Sequence, residues 1–266
     1  MKPVIVGLFL CLGLAGPAHA VVDDSADALT QSGNTETDGS KQDSWGDEPT
    51  SSTGEPKATL TPFNARYESE WNLGWFSINI KGIRQLKRLD DDRWELVFEA
   101  DSSAAGLKEV SVFSVDDGQI QPLEYRYQVS GLVTEPDRSL EFRPDDEIVR
   151  DHKKNKDHTN QWAPGIQDAQ TYMLQASLDL MLHPTLPLSY PVFEKKRTKV
   201  FNFEIVGEEI IKTRAGKLNT IKIQQVRKDN RRVTVWLIKD KQFLLARLVD
   251  KQNGKTRYKI DLVAID

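Results

Sequence analysis

From residue 200 to residue 266 the chain alternates apolar and polar residues through five short runs. They are FNFEIV (201–206), LNTIKIQQV (218–226), RRVTVWLI (231–238), QFLLARLV (242–249) and TRYKIDLVAI (256–265). Successive side chains on a strand point to opposite faces, so a period of two marks half-buried strands and is incompatible with a helix. The separators are turn residues: Ala215-Gly216, Asp229-Asn230, Asp240-Lys241 and Asn253-Gly254. The last pair is the strongest hairpin signal, because both residues accept the positive φ that a two-residue turn demands. RRVTVWLI is apolar on both faces, with Val233, Val235 and Leu237 against Trp236 and Ile238, the pattern of a central strand covered on both sides. Phe201, Phe203 and Ile205 share a face, and Glu208–Thr213 reads as a separate short strand. This third of the chain is expected to form an antiparallel meander.

Residues 65–151 carry a second block of the same kind. Phe76, Ile78 and Ile80 alternate with Ser77, Asn79 and Lys81, and Trp94, Leu96, Phe98 and Ala100 form one face of the next run. LKEVSVFSV follows, and Asp116-Asp117-Gly118 turns it into QIQPLEYRYQV. Pro122 marks that run as weakened or as a sheet edge, since proline donates no ladder hydrogen bond. SLEFRP and DEIVRDH read as a short hairpin around Pro144-Asp145. The segment from His152 to His158, HKKNKDH, has no apolar anchor and reads as an exposed, solvated loop. Its two histidines and the nearby aspartates lack the tight spacing of a metal site.

Between the blocks lies one stretch with a helical period. Ala169, Tyr172, Met173, Ala176 and Leu180 recur at steps of three and four. Asp168 is placed to cap its first turn, and His183-Pro184 ends it. The expected fold is mainly β: a curved, half-barrel-like antiparallel sheet of about ten or more strands in two blocks, covered by one α-helix.

The rest of the chain delivers this domain. Lys2, the apolar run Val4–Leu14 and Ala18-His19-Ala20 make residues 1–20 a cleavable signal peptide, with the mature chain expected from Val21. Leu8-Phe9-Leu10 before Cys11 does not suit lipidation, so export to the periplasm as a soluble protein is expected. Cys11 is the single cysteine and leaves with the signal, so the mature chain has no disulfide and no thiol ligand or nucleophile. Residues 21–58 are rich in Ser, Thr, Gly, Asp and Glu and cannot bury enough surface to offset their ordering entropy. This segment is expected to be a disordered acidic linker, with nine acids against Lys41 and Lys57. Of the 36 basic and 40 acidic residues, three lysines and those nine acids precede residue 59. The single β-rich domain of 59–266 is therefore nearly neutral, at +2. That balance, together with export, argues against nucleic acid as a partner.

These residues resemble a bacterial envelope family, domain of unknown function 3108, over about Tyr67 to Val263. The resemblance rests on Gly74, the aromatic strand at Trp94, and the helix start Asp168-Ala169-Gln170-Thr171. It rests most specifically on Thr213-Arg214-Ala215-Gly216-Lys217-Leu218-Asn219-Thr220 and Thr234-Val235-Trp236-Leu237. Relatives often carry a proline where this chain has Leu245-Ala246. The resemblance implies an exported β-rich domain similar to the curved half-barrels of lipoprotein carriers of the LolA and LolB type. It implies no activity and no catalytic residue.

Three functions are open to such a chain. The first is a non-catalytic binding module whose concave apolar cleft takes a lipid or lipidated peptide, with Trp75, Phe76, Trp94, Phe98, Tyr172, Met173 and Trp236 as candidate lining. The second is an envelope partner protein that meets another protein through basic hairpin ends, Lys195, Lys196, Arg197 and Lys199 with Arg227, Lys228, Arg231 and Arg232. An enzyme is the least favoured: no G-x-S-x-G, H-E-x-x-H, phosphate-loop or dinucleotide motif is present, and the carboxylate pairs Asp145-Asp146 and Glu208-Glu209 adjoin turns. No cofactor, metal or transmembrane anchor is expected.

Overall fold

The computed structural model describes residues 59–266 apart from 74–75, 90–91, 104, 133–134, 186 and 228, and gives backbone alone for 70–73 and 76–78. The expected signal peptide and acidic linker lie outside the described residues. Among the described residues the alternating runs become fourteen strands of one sheet. In the first block these are β1 (Phe63–Leu73), β2 (Phe76–Arg88), β3 (Arg93–Asp101), β4 (Ala105–Asp116), β5 (Gln119–Gly131), β6 (Arg138–Arg143), β7 (Ile148–Asp151) and β8 (Lys156–His158). After the helix α1 (Thr171–Leu182) come β9 (Leu188–Glu194), β10 (Arg197–Thr213), β11 (Gly216–Gln225), β12 (Arg231–Ile238), β13 (Leu244–Gln252) and β14 (Lys255–Ile265).

The hairpin turns follow the residues that allow them. Asp117 and Gly118 take φ of 45° and 76°, and Asn253 and Gly254 take 51° and 76°, the left-handed pair of a two-residue hairpin turn. Strand order is β8-β7-β6-β5-β4-β3-β2-β1-β14-β13-β12-β11-β10-β9. Each block is a meander. The two are fused where β1 pairs antiparallel with β14, from Ala65↔Ile265 to Glu70↔Lys259. The sheet is not closed into a barrel: β8 and β9 remain its two edges.

The edges nevertheless meet. The His158 ring on β8 lies 5.1 Å from the Phe193 ring on β9. The segment that follows β8 then runs along the free side of β9: Gln167 N–H donates to Pro191 O at 2.8 Å, and Phe193 N–H to Gln167 O at 2.9 Å. That strap satisfies amide groups an open edge would leave for another chain.

Helix α1 lies inside this curl. Gln170, just before its first residue, approaches the Ser111 hydroxyl on β4 (3.2 Å), its Gln175 accepts from Ile120 N–H on β5 (2.7 Å), and its Ser177 donates to Phe243 O in the β12–β13 turn (3.0 Å). Tyr172 meets Phe201 edge-on at 5.4 Å and stacks on Phe203 at 6.1 Å, both on β10. One helix that touches strands from both blocks requires the sheet to curve around it. It also explains why nine of its twelve residues are buried, more than the one-sided stripe read from the sequence. The start is as expected in chemistry but shifted in position. Asp168 Oδ1 accepts from the amides of Gln170 (2.7 Å) and Thr171 (2.9 Å), and Thr171 Oγ1 accepts from Asp168 N–H (2.9 Å). Such a reciprocal cap contributes about 1 kcal/mol. The helix proper begins three residues after Asp168.

Three local readings are corrected. HKKNKDH is not a solvated loop throughout: Lys156–His158 pair with β7, and His158 is buried at the sheet edge. Pro122 does not mark an edge strand. β5 is internal, and Pro122 sits at a register shift opposite Phe113, outside the Glu124–Tyr127 stretch that β6 pairs, so on the β6 side its missing N–H breaks no ladder. Glu208–Thr213 is the second half of the seventeen-residue β10, bent by a bulge between Ile205 and Gly207. β12 is central as read, with Val233–Ile238 buried on both faces.

Candidate functional site

Period two carries the residues of the candidate site to one face. On β2 the helix-facing positions are Ile80, Gly82, Arg84 and Leu86; on β4 they are Leu107, Glu109, Ser111 and Phe113. Two charged residues thus occupy apolar parity and are buried, Arg84 at 7% exposure and Glu109 at 1%. Tyrosines surround them. Tyr125 OH donates to Glu109 Oε1 at 2.5 Å, and Tyr67 OH donates to Leu245 O at 2.9 Å. Burial pulls the Arg84 guanidinium below its ordinary pKa, opposed by the nearby Tyr67, Tyr172 and Glu109. Burial likewise pushes Tyr67 up to about 12, against the pull of Arg84. Arg84 Nη2 has no hydrogen-bond partner. A buried donor left so costs about 1–3 kcal/mol, more when charged, so this arrangement is retained at a cost.

Arg84 stands between two cavities. On its inner side a space of about 20 Å³ is enclosed by Tyr67, Phe98, Glu109, Gln170, Leu245 and Ile260, all buried. That is room for about one water. On its outer side opens a cleft of about 250 Å³ between the chain entering β1, helix α1 and the β12–β13 turn. Its walls are Leu60, Phe63, Leu86, Leu174 and Leu244, with Ser177 beside them; Thr61, Pro62, Lys241 and Gln242 form an exposed rim. The rim is held by Gln242, whose Nε2 donates to Thr61 Oγ1 at 2.7 Å and whose Oε1 accepts from Thr61 N–H at 3.1 Å. The Phe63 ring lies 5.8 Å from the Arg84 guanidinium carbon. A wider groove of about 670 Å³ runs past β1, β2 and β14, and four of its charged residues pair with one another, Arg214 with Glu68 and Lys259 with Asp261.

The residues expected to line a cleft are only partly brought together. Trp94 and Phe98 are neighbours in parity on β3 and buried; Trp94 joins Leu86, Leu174 and Leu178 in the core beneath the cleft, and Phe98 walls the small inner cavity. Tyr172 and Met173 are buried on α1, with Tyr172 turned to β10. Trp236 sits apart, on the other face of β12, where its Nε1–H donates to Glu209 at 3.0 Å. Trp75 and the Phe76 side chain lie outside the described residues. Sequence reasoning missed Leu60, Phe63, Arg84, Leu86, Leu174 and Leu244. The available signal was a charge, Arg84, at the parity of Ile80 and Leu86.

The basic clusters also divide. Lys195, Lys196 and Arg197 are exposed at the β9–β10 turn, while Lys199 pairs with the buried Glu194 at 2.6 Å. Arg227 is paired with Asp229 (2.5 Å), Arg232 is exposed, and Lys228 lies outside the described residues. Arg231 is no surface residue: it is buried and makes a two-pronged pair with Asp250, both contacts at 2.9 Å. Among the described residues no three His, Cys, Asp or Glu side chains are grouped to hold a metal ion, and no helix is long and apolar enough to cross a membrane.

One solved structure shares the fold, and two more align weakly. The β-barrel-like protein of domain of unknown function DUF1849 from Brucella abortus aligns with a TM-score of 0.53 at 11% identity, over 79% of this chain and 98% of that one. The MucA/MucB complex of Pseudomonas aeruginosa aligns over 77% of this chain and 51% of that one, at 12% identity and a TM-score of 0.35. A putative outer membrane lipoprotein-sorting protein domain from Vibrio parahaemolyticus aligns over 77% and 84%, at 11% identity and a TM-score of 0.22. The last two scores are too low to carry any argument, on fold or on function. A search of curated protein sequences finds no significant match. The family model described as protein of unknown function (DUF3108) matches residues 63–262, nearly the whole sheet from β1 to β14, and the chain belongs to that family.

Proposed function

We infer that this protein is a non-catalytic binding module of the bacterial cell envelope, exported through its N-terminal signal, and that it holds a single acyl chain in the cleft beside Arg84. The observation that carries the reading is the cleft: about 250 Å³, walled by leucines and a phenylalanine, and open at a polar rim. An apolar cavity of about 150 Å³ already takes up benzene, and pockets for drug-sized ligands begin at about 300 Å³. This space suits one flexible apolar chain and is too small for two. A hydrocarbon chain leaving water for such walls gains roughly 0.8 kcal/mol for each buried methylene.

The non-catalytic part of the reading is supported by the placement of the candidate acids and bases. Asp145, Asp146, Glu208 and Glu209 are exposed, His183 is exposed at the end of α1, and His158 is packed on Phe193, none of them at the cleft. The partner-protein reading keeps Lys195, Lys196, Arg197 and Arg232 as exposed cations. It loses Arg231, Lys199 and Arg227 to internal pairs.

Native mass spectrometry of the chain isolated from a bacterial periplasm, followed by organic extraction, tests the proposal. A stoichiometric adduct that releases an acyl compound is expected. A chain of bare polypeptide mass that also fails to take up acyl compounds added in solution would reject it.

A further inference from the structure

We propose that the acyl ligand carries a carboxylate and binds with that head against Arg84; the proposal rests on the cleft reading above and specifies its ligand. Among the described residues Arg84 is the one charged residue in the buried part of the cleft wall, and the charged groups at the rim, Lys241 and Asp240, are solvated. Its guanidinium is engaged by Tyr67, which is itself tied to Leu245 O, so the head is held on a rigid strand. Glu109 acts on it through charge, and Nη2 is left without a hydrogen-bond partner. Arg84 lines both the cleft and the inner cavity, and a buried cation in the wall of an apolar cleft is complementary to an anion at the end of an apolar chain.

The inner cavity beyond Arg84 holds about one water, so a head group stops at Arg84 and the chain lies back along Leu86, Leu174 and Leu244 towards the rim. A carboxylate fits better than a phosphate. It brings one charge and two oxygens to one guanidinium, whereas a phosphate monoester brings nearly two charges and three acceptor oxygens into a wall that otherwise offers apolar groups.

The test is calorimetric titration of the full, delipidated chain with decanoate, decan-1-ol and decyl phosphate at neutral pH. It is repeated on Arg84→Met/Glu109→Gln, a pair chosen because removing Arg84 alone strands a buried carboxylate. The amide that Glu109→Gln introduces keeps an acceptor for Tyr125. Decanoate is expected to bind the natural chain about tenfold or more tighter than decan-1-ol, the scale of one charge-assisted hydrogen bond, and the double variant to bind the two alike. If the double variant does not fold, the comparison of the three ligands on the natural chain decides alone. Equal binding of decanoate and decan-1-ol overturns the carboxylate inference and leaves the cleft reading standing. Tighter binding of decyl phosphate also overturns it, in favour of a phosphate head. Binding of none of the three removes the cleft reading itself.

Discussion

Asp250→Asn is expected to be the most damaging single-atom change in the second block. Asp250 is fully buried on β13, and both its oxygens accept from Arg231 on β12 at 2.9 Å. Arg257 on β14 approaches the same carboxylate at 3.5 Å, so one acid neutralises cations on the strands to either side. Tyr258 lies in the same cluster; burial raises it to about 12, and the Asp250 charge acts in the same direction. The substitution removes the negative charge, retains one acceptor and places an amide donor against the guanidinium. Breaking a buried pair from one side costs about 3–5 kcal/mol. Against a total stability of about 5–15 kcal/mol, that is a large fraction. For a domain of this size it corresponds to a fall of roughly 6–20 °C in Tm. Urea unfolding followed by far-ultraviolet dichroism gives the number, with an unchanged m-value required for the comparison to hold. The control is Arg231→Met/Asp250→Leu, which removes both charges together and is expected to recover most of the loss, because apolar replacement of a buried pair is often close to neutral. A cost below about 1 kcal/mol for Asp250→Asn, or a double variant worse than the single, would refute the reasoning, since surface pairs are worth no more than that.

Asp168 makes stability depend on pH in the opposite sense from ordinary paired carboxylates. Burial raises its pKa from 3.8 to about 6, so between those values the folded chain holds a proton that the unfolded chain has lost. Its contribution is therefore present below pH 3.8 and is lost as pH rises through about 6, by roughly 3 kcal/mol in all. Asp168→Asn should remove that loss, so that the difference between variant and natural chain in urea midpoint shifts in the variant's favour from about pH 4 to pH 7; a constant difference would contradict it. Gly118→Ala should cost about 1–2 kcal/mol, because φ is +76° and the new Cβ would lie 2.9 Å from Leu182 Cδ1; thermal melting within about 2 °C of the natural chain would contradict this. Gln175→Ala strands Ile120 N–H and should cost about 1–3 kcal/mol in the same assay, with no loss refuting the bond's importance.

How far the fold was readable from the residues follows from which signals are local. Asn253-Gly254 and Asp117-Gly118 dictate their own turns, and alternation assigns faces within a strand, so the meanders and the central position of β12 are legible. The β1–β14 pairing that fuses the blocks is not, because nothing local in Phe63–Leu73 specifies a partner nearly 200 residues away. His158 shows the same limit: HKKNKDH is polar by composition, yet its last residue is buried with its ring against Phe193, which is distant in sequence. Alternation also held the trace of the cleft. Ile80, Gly82, Arg84 and Leu86 share one parity, as do Leu107, Glu109, Ser111 and Phe113, and a charge at such a position points to a polar site inside the core. Large aromatic residues were the weaker guide. Trp94 and Tyr172 fill the core because their size suits it, and Trp236 faces the other way.

A crystal structure of the full chain grown with decanoate decides whether an acyl chain is held beside Arg84. Continuous density is expected from the rim at Gln242 along Leu174 and Leu244 to Arg84, with the head group within hydrogen-bond distance of the guanidinium. Side chains closing the space, or decanoate bound elsewhere with the cleft empty, would contradict it.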